Sequence, residues 1–329
     1  MKLKRLAGLL LFTPLLFLSA CASTSGLTLT ANWYASTTNY GGLTGTHEEL
    51  TYAVAFEGNN SSSKLRLQYD NGRYTTLLES ALIAESGNRL GYHYHTELEI
   101  TGRYFYKGQQ GADFTDTVVS DVWFLDVSEG LRPVRSEKTV KSTVPNTLAD
   151  SVANVATEYN YRYVAEYNEA LTRTTITYTD LKTPNAEPEV TELKLSGKGT
   201  FFDNEQVLFA LRGVDMTSSL RFKTVNPATR ETAKLASSDT PVSRQYNAEF
   251  SMKVGGGEPV TEARTLNTYS LSLGYSGNNP GRTQSYVYAQ CTSPDANTYR
   301  NVLLHMETHA LYDLGTFKYD LTAAVFAEK

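Results

Sequence analysis

The stretch Tyr159-Asn160-Tyr161-Arg162-Tyr163-Val164-Ala165-Glu166-Tyr167 alternates aromatic or small apolar residues with mainly polar ones. Successive side chains of a strand point to opposite faces, so Tyr159, Tyr161, Tyr163, Ala165 and Tyr167 share one face. Asn160, Arg162, Val164 and Glu166 take the other. The same period recurs upstream, in Tyr52, Val54 and Phe56, in Leu65, Leu67 and Tyr69, and in Tyr92, Tyr94, Thr96, Leu98 and Ile100. Gly58 to Ser61 and Asp70-Asn71-Gly72 separate these runs with residues that tolerate the positive φ of tight turns. Trp123 and Phe124 sit in a further run suited to a sheet core. Downstream, strands are predicted at Leu220 to Phe222, Phe250 to Val254, Tyr269 to Tyr275, Tyr286 to Tyr288, Val302 to Met306 and Phe317 to Leu321. Gly255 to Gly257 and Gly277 to Gly281 mark turns between them. The chain reads as all-β and mainly antiparallel, with one or two short helices.

The helix is predicted over Asp203 to Arg212. Asp203 can cap it and Gln206, three residues on, completes a capping box. Val207, Leu208 and Leu211 form its apolar stripe and Gly213 ends it. Pro145 to Ala156 reads as a short helix capped by Asn146 or as a long connection. The prolyl loop Thr183 to Pro188 is the best internal boundary in what is otherwise one large domain, residues 47–329.

The chain begins with a cationic head, Lys2, Lys4 and Arg5, and a short apolar run from Leu6 to Leu18. That run is too short to span a bilayer, which takes roughly 20 residues of helix. Leu18-Ser19-Ala20-Cys21 closes it in the pattern of a bacterial lipobox. Residues 1–20 are therefore read as a lipoprotein signal peptide, Cys21 as the lipidated residue, and 21–46 as a flexible tether. Ala22 rather than Asp follows the cysteine, which fits export to an outer membrane. Removing the three cations of the signal leaves 27 basic against 35 acidic residues, a net charge of −8. That balance argues against nucleic acid as a partner and against electrostatic docking on anionic lipid, so the acyl chain is expected to hold the protein to its membrane. Cys291 is the one other cysteine, so the mature chain offers no second thiol for a structural disulfide.

Several segments together resemble a family of uncharacterised bacterial envelope β-proteins. They are the opening run with Glu49, Tyr52 and Val54, the mid-chain LDVSEGLRPVRSEK from Leu125, the FFDNEQVLFALRGVDM segment from Phe201, and the closing LGTFKYDL from Leu314. The resemblance implies a curved antiparallel sheet, a half-barrel or open barrel, similar in architecture to LolA-type lipoprotein carriers. It implies a helix at Asp203 to Gly213 lying against the sheet and an apolar concave face. It assigns no catalytic residue.

Two constellations carry chemistry in the residues themselves. His93, His95, Glu97 and Glu99 share one strand face, as do His305, Glu307 and His309. Set side by side, the two strands would offer His93, His95, His305 and His309 to a divalent metal. As separate strands they would be polar, solvent-facing sides opposite core residues such as Tyr92 and Tyr94. Tyr159, Tyr161, Tyr163 and Tyr167 are the best candidate ligand contacts, because aromatic rings supply area and a polar tip. Glu48, Glu49, Asp113, Asp116 and Asp121 read as solvated loop positions. No nucleophile motif, phosphate cradle or cofactor motif is present. The expectation is a non-catalytic, cofactor-free envelope lipoprotein that binds an apolar ligand or lipidated cargo on the concave sheet. The alternative is an interaction protein that docks another envelope protein or a glycan.

Overall fold

The computed structural model describes residues 46–59, 64–146, 148–195, 201–276, 283–290 and 301–328. The signal peptide, Cys21, nearly all of the tether, and Cys291 lie outside them. Among the described residues seventeen strands join in one sheet. β1 (Thr46–Gly58) is central, paired on one side with β3 (Gly72–Ile83) and on the other with the last strand, β17 (Gly315–Glu328). From β3 the sheet continues through β4 (Arg89–Tyr106), which also carries β2 (Leu65–Tyr69), to β5 (Gln109–Leu125) and β6 (Pro133–Pro145). β7 (Ala156–Tyr167), β8 (Arg173–Asp180) and β9 (Glu189–Lys194) complete that wing. The prolyl loop joins β8 to β9, which pair with each other, so it is a hairpin connection inside the sheet. Asn146 to Val155 is a connection with one 3₁₀ turn at Val152–Asn154.

The other wing runs from β17 through β16 (Leu303–His309) and β15 (Thr283–Ala289) to β14 (Val260–Ser276). β14 carries β12 (Glu231–Ser237) and β13 (Val242–Val254) in succession, and β12 leads to β11 (Arg221–Asn226) and the short β10 (Phe201–Asp203). β13 also pairs in parallel with the second half of β17, so β13 to β17 close on themselves. The result is an all-β, mainly antiparallel barrel-like sheet; the alternating pattern predicts its antiparallel strands.

Side-chain parity decides what the sheet encloses. On β4 the even-numbered Tyr92, Tyr94, Ile100, Tyr104 and Tyr106 are buried, whereas His93, His95, Glu97 and Glu99 face outward. Gly91 is forced by packing, since a Cβ there would lie 2.2 Å from the Phe124 carbonyl oxygen. The capped segment from Asn204 to Gly213 is helical as predicted, a turn of 3₁₀, one of α and one of 3₁₀. It packs into the concavity as a plug. Phe209, fully buried, packs against Tyr92, Tyr94 and Phe124 with ring centroids 4.9–5.8 Å apart. Tyr288 donates a hydrogen bond to the Leu208 carbonyl oxygen (3.0 Å).

The acidic residues read as solvated are all on strands. Glu48 is in phase with Leu50, Tyr52 and Val54, so it points inward and forms a bidentate pair with Arg212 (2.5 and 2.9 Å). Asp116 is buried, accepting from the Tyr69 hydroxyl and the Thr143 amide (both 2.7 Å).

Candidate functional site

Strands β6 and β7 meet the plug without a backbone ladder among the described residues, and side chains make the seam. Asp203 accepts hydrogen bonds from Ser136 Oγ and the Tyr167 hydroxyl (both 2.5 Å) while capping the helix through the Glu205 amide (2.8 Å). Its own amide donates to Gln206 Oε1 (3.0 Å), and Gln206 donates onward to the Leu131 carbonyl oxygen (2.8 Å). Burial, then the neighbouring Glu205 charge, push the Asp203 carboxyl up to about 6. Beside it, Lys138 Nζ lies 2.8 and 2.9 Å from the two Glu205 oxygens. Burial opposes the charge on Glu205, but Lys138 outweighs it and holds that carboxyl below its ordinary value. Tyr163 also donates to Glu205 Oε1 (3.0 Å).

Behind this pair the plug leaves a cavity of about 280 Å³ against the inner wall of the sheet. Its apolar lining comes from Leu98, Val118, Val207, Leu208, Leu235 and Met306, and its polar lining includes Lys138, Asn204, Glu205, Thr96, Thr308 and Gln284. Four tyrosines, Tyr74, Tyr275, Tyr286 and Tyr319, complete it. Tyr275 donates to Asn204 Oδ1 (3.2 Å) and Tyr286 donates to Gln284 Oε1. The ionic groups of the wall are already matched, Lys138 against Glu205. A buried ion without a counter-charge is expensive, so this cavity favours an uncharged guest with both apolar and hydrogen-bonding surface.

The four tyrosines read from the sequence divide. Tyr163 and Tyr167 are buried and held by Glu205 and Asp203, so they fasten the seam. Tyr159, at 48% exposure, and the partly exposed Tyr161 remain accessible on the same face. The histidines do not converge. β3, β1 and β17 lie between β4 and β16, which places His93 and His95 about 19 Å along the sheet from His305 and His309. His93 Nε2 and His95 Nδ1 instead both meet Asp121 Oδ1 (2.8 and 2.9 Å), and His93 stacks on Trp123. His305 meets Asp320 (2.6 Å) and Glu307 (3.3 Å), and His309 meets Thr316 (3.4 Å). Among the described residues no group of three or more His, Cys, Asp or Glu side chains is arranged to hold a metal ion.

Lys138 and Glu205 are the site residues that the sequence reading missed. Parity was the available signal for Lys138, which is in phase with the buried Val134, Ser136 and Val140. Glu205 had no such signal, because its position follows from where the plug lies.

No family model and no curated protein matches the chain. Among solved structures it is similar to the crystal structure of a beta-barrel-like protein of domain of unknown function DUF1849 from Brucella abortus. The TM-score is 0.47 at 9% sequence identity, over 85% of this chain and 98% of that one.

Proposed function

We propose that this protein is a non-catalytic envelope lipoprotein, anchored through Cys21, that binds a small uncharged amphipathic molecule between the sheet and the plug. The observation that carries the reading is the cavity with an apolar wall and a self-compensated Lys138–Glu205 pair. Its 280 Å³ lies just below the range of about 300–1,000 Å³ typical of sites for drug-sized ligands. That favours a short or single-ring ligand over a whole acyl chain or lipidated cargo.

The test is native mass spectrometry of the mature chain purified gently from a bacterial periplasm, with cyclohexanol as a neutral probe in thermal-shift titrations. A co-purified small molecule, or a probe-dependent rise in melting temperature that Val118→Trp abolishes by filling the cavity, supports the reading. A clean apo mass together with no response to the probe overturns it.

A further inference from the structure

Two transverse rows of inward-facing residues run from the cavity wall onto the free part of β7 and β8. Leu98, Val118, Val140, Tyr161 and Asp180 pair in register across five strands. Next to them run Thr96, Ser120, Lys138, Tyr163 and Tyr178. Tyr161 is therefore two strand spacings, about 10 Å, from the cavity-lining Val118, and diagonal to Lys138. Its ring packs on that of Tyr178 (centroids 5.5 Å, 30°), and the more exposed Tyr159 adjoins Tyr178. Together they make an aromatic lip beside the Lys138–Glu205 pair.

The cation of the lip is paired, as that of the cavity is. Arg230 lies over the Tyr178 ring (5.1 Å) and pairs with Glu189 (2.7 Å). Asp180 accepts from the Lys182 amide (2.9 Å) and the Thr183 hydroxyl (2.6 Å). Along the track Lys138 and Arg230 each face a carboxylate, Arg230 covers one side of the Tyr178 ring, and the partly exposed Tyr161 and the exposed Tyr159 carry the accessible aromatic surface. Flat apolar ring faces flanked by hydrogen-bonding edges match a sugar, whose C–H face is apolar and whose rim is hydroxylated.

We propose, resting on the cavity reading above, that the ligand is a neutral linear oligosaccharide, with one ring in the cavity and the next on Tyr161 and Tyr178. The length dependence of binding tests it. Cello-, malto- and chito-oligosaccharides of one to six rings are titrated calorimetrically into the mature protein. In at least one series, affinity rises about tenfold or more from one ring to three and then levels off. Tyr161→Ala with Tyr178→Ala removes that gain and leaves single-ring binding and the circular dichroism spectrum in place. Tyr161→Phe, which keeps the ring, retains the gain. Val118→Trp abolishes binding at every length. Failure of all three series, affinity independent of length, or a gain that survives loss of both tyrosines overturns the proposal. If cyclohexanol still binds in a Val118→Trp-sensitive manner, the oligosaccharide assignment alone has failed; if it does not, the cavity reading falls with it.

Discussion

Replacing Glu48 by Gln should be among the most damaging single changes in the interior. Arg212 and Glu48 are 4% and 1% exposed and meet through two hydrogen bonds, at 2.5 and 2.9 Å. The pair fastens the C-terminal end of the plug to the central strand β1. Removing the carboxylate charge leaves a guanidinium buried without its counter-ion, which costs about 3–5 kcal/mol. With a urea dependence of about 3 kcal/mol/M, the unfolding midpoint should fall by roughly 1–1.7 M. Equilibrium urea unfolding followed by tryptophan fluorescence and circular dichroism measures it. The double variant Glu48→Leu with Arg212→Met removes both ions and fills similar volume, so it should unfold within about 1–2 kcal/mol of the wild type. A loss below about 1 kcal/mol for Glu48→Gln, or two single costs that simply add in the double variant, refutes the reasoning.

Other consequences are equally open to measurement. Asp203 is raised on folding to about 6, so its contribution to stability is fully present below its unfolded value and is lost as pH rises through the folded one. Unfolding free energy should therefore fall by up to about 3 kcal/mol from this group between about pH 4 and pH 8, and Asp203→Asn should flatten that slope in urea titrations. Phe209→Ala removes the ring that three aromatic residues enclose and should cost about 3–5 kcal/mol by the same assay. The Asp121 hydrogen bond holds the His95 imidazole above its ordinary range, so Asp121→Asn should lower the His95 titration midpoint seen by NMR. Cys21→Ala should abolish incorporation of labelled palmitate in cells, whereas Cys291→Ala should not.

Much of the fold was legible because strand alternation is a local property. Tyr92 to Ile100 and Tyr159 to Tyr167 show their period directly, and Asp203 with Gln206 announces a helix start within four residues. The same parity already pointed Glu48 and Lys138 inward, in phase with Leu50 and Tyr52 and with Ser136 and Val140. Reading Glu48 by residue type rather than by phase is what hid it.

The sequence by itself determined the antiparallel strands, the capped helical segment and the outward face of the histidines, because each depends on neighbours a few positions apart. Only the tertiary structure decided that the helical segment lies inside the barrel, that Arg212 meets Glu48 and Lys138 meets Glu205, and that the two histidine strands stand apart. Those outcomes depend on which strands neighbour one another and how far the sheet curls. Both are set by the summed packing of residues far apart in the chain, 67 positions for Lys138 and Glu205 and 164 for Glu48 and Arg212, which leaves no periodic trace in any one stretch.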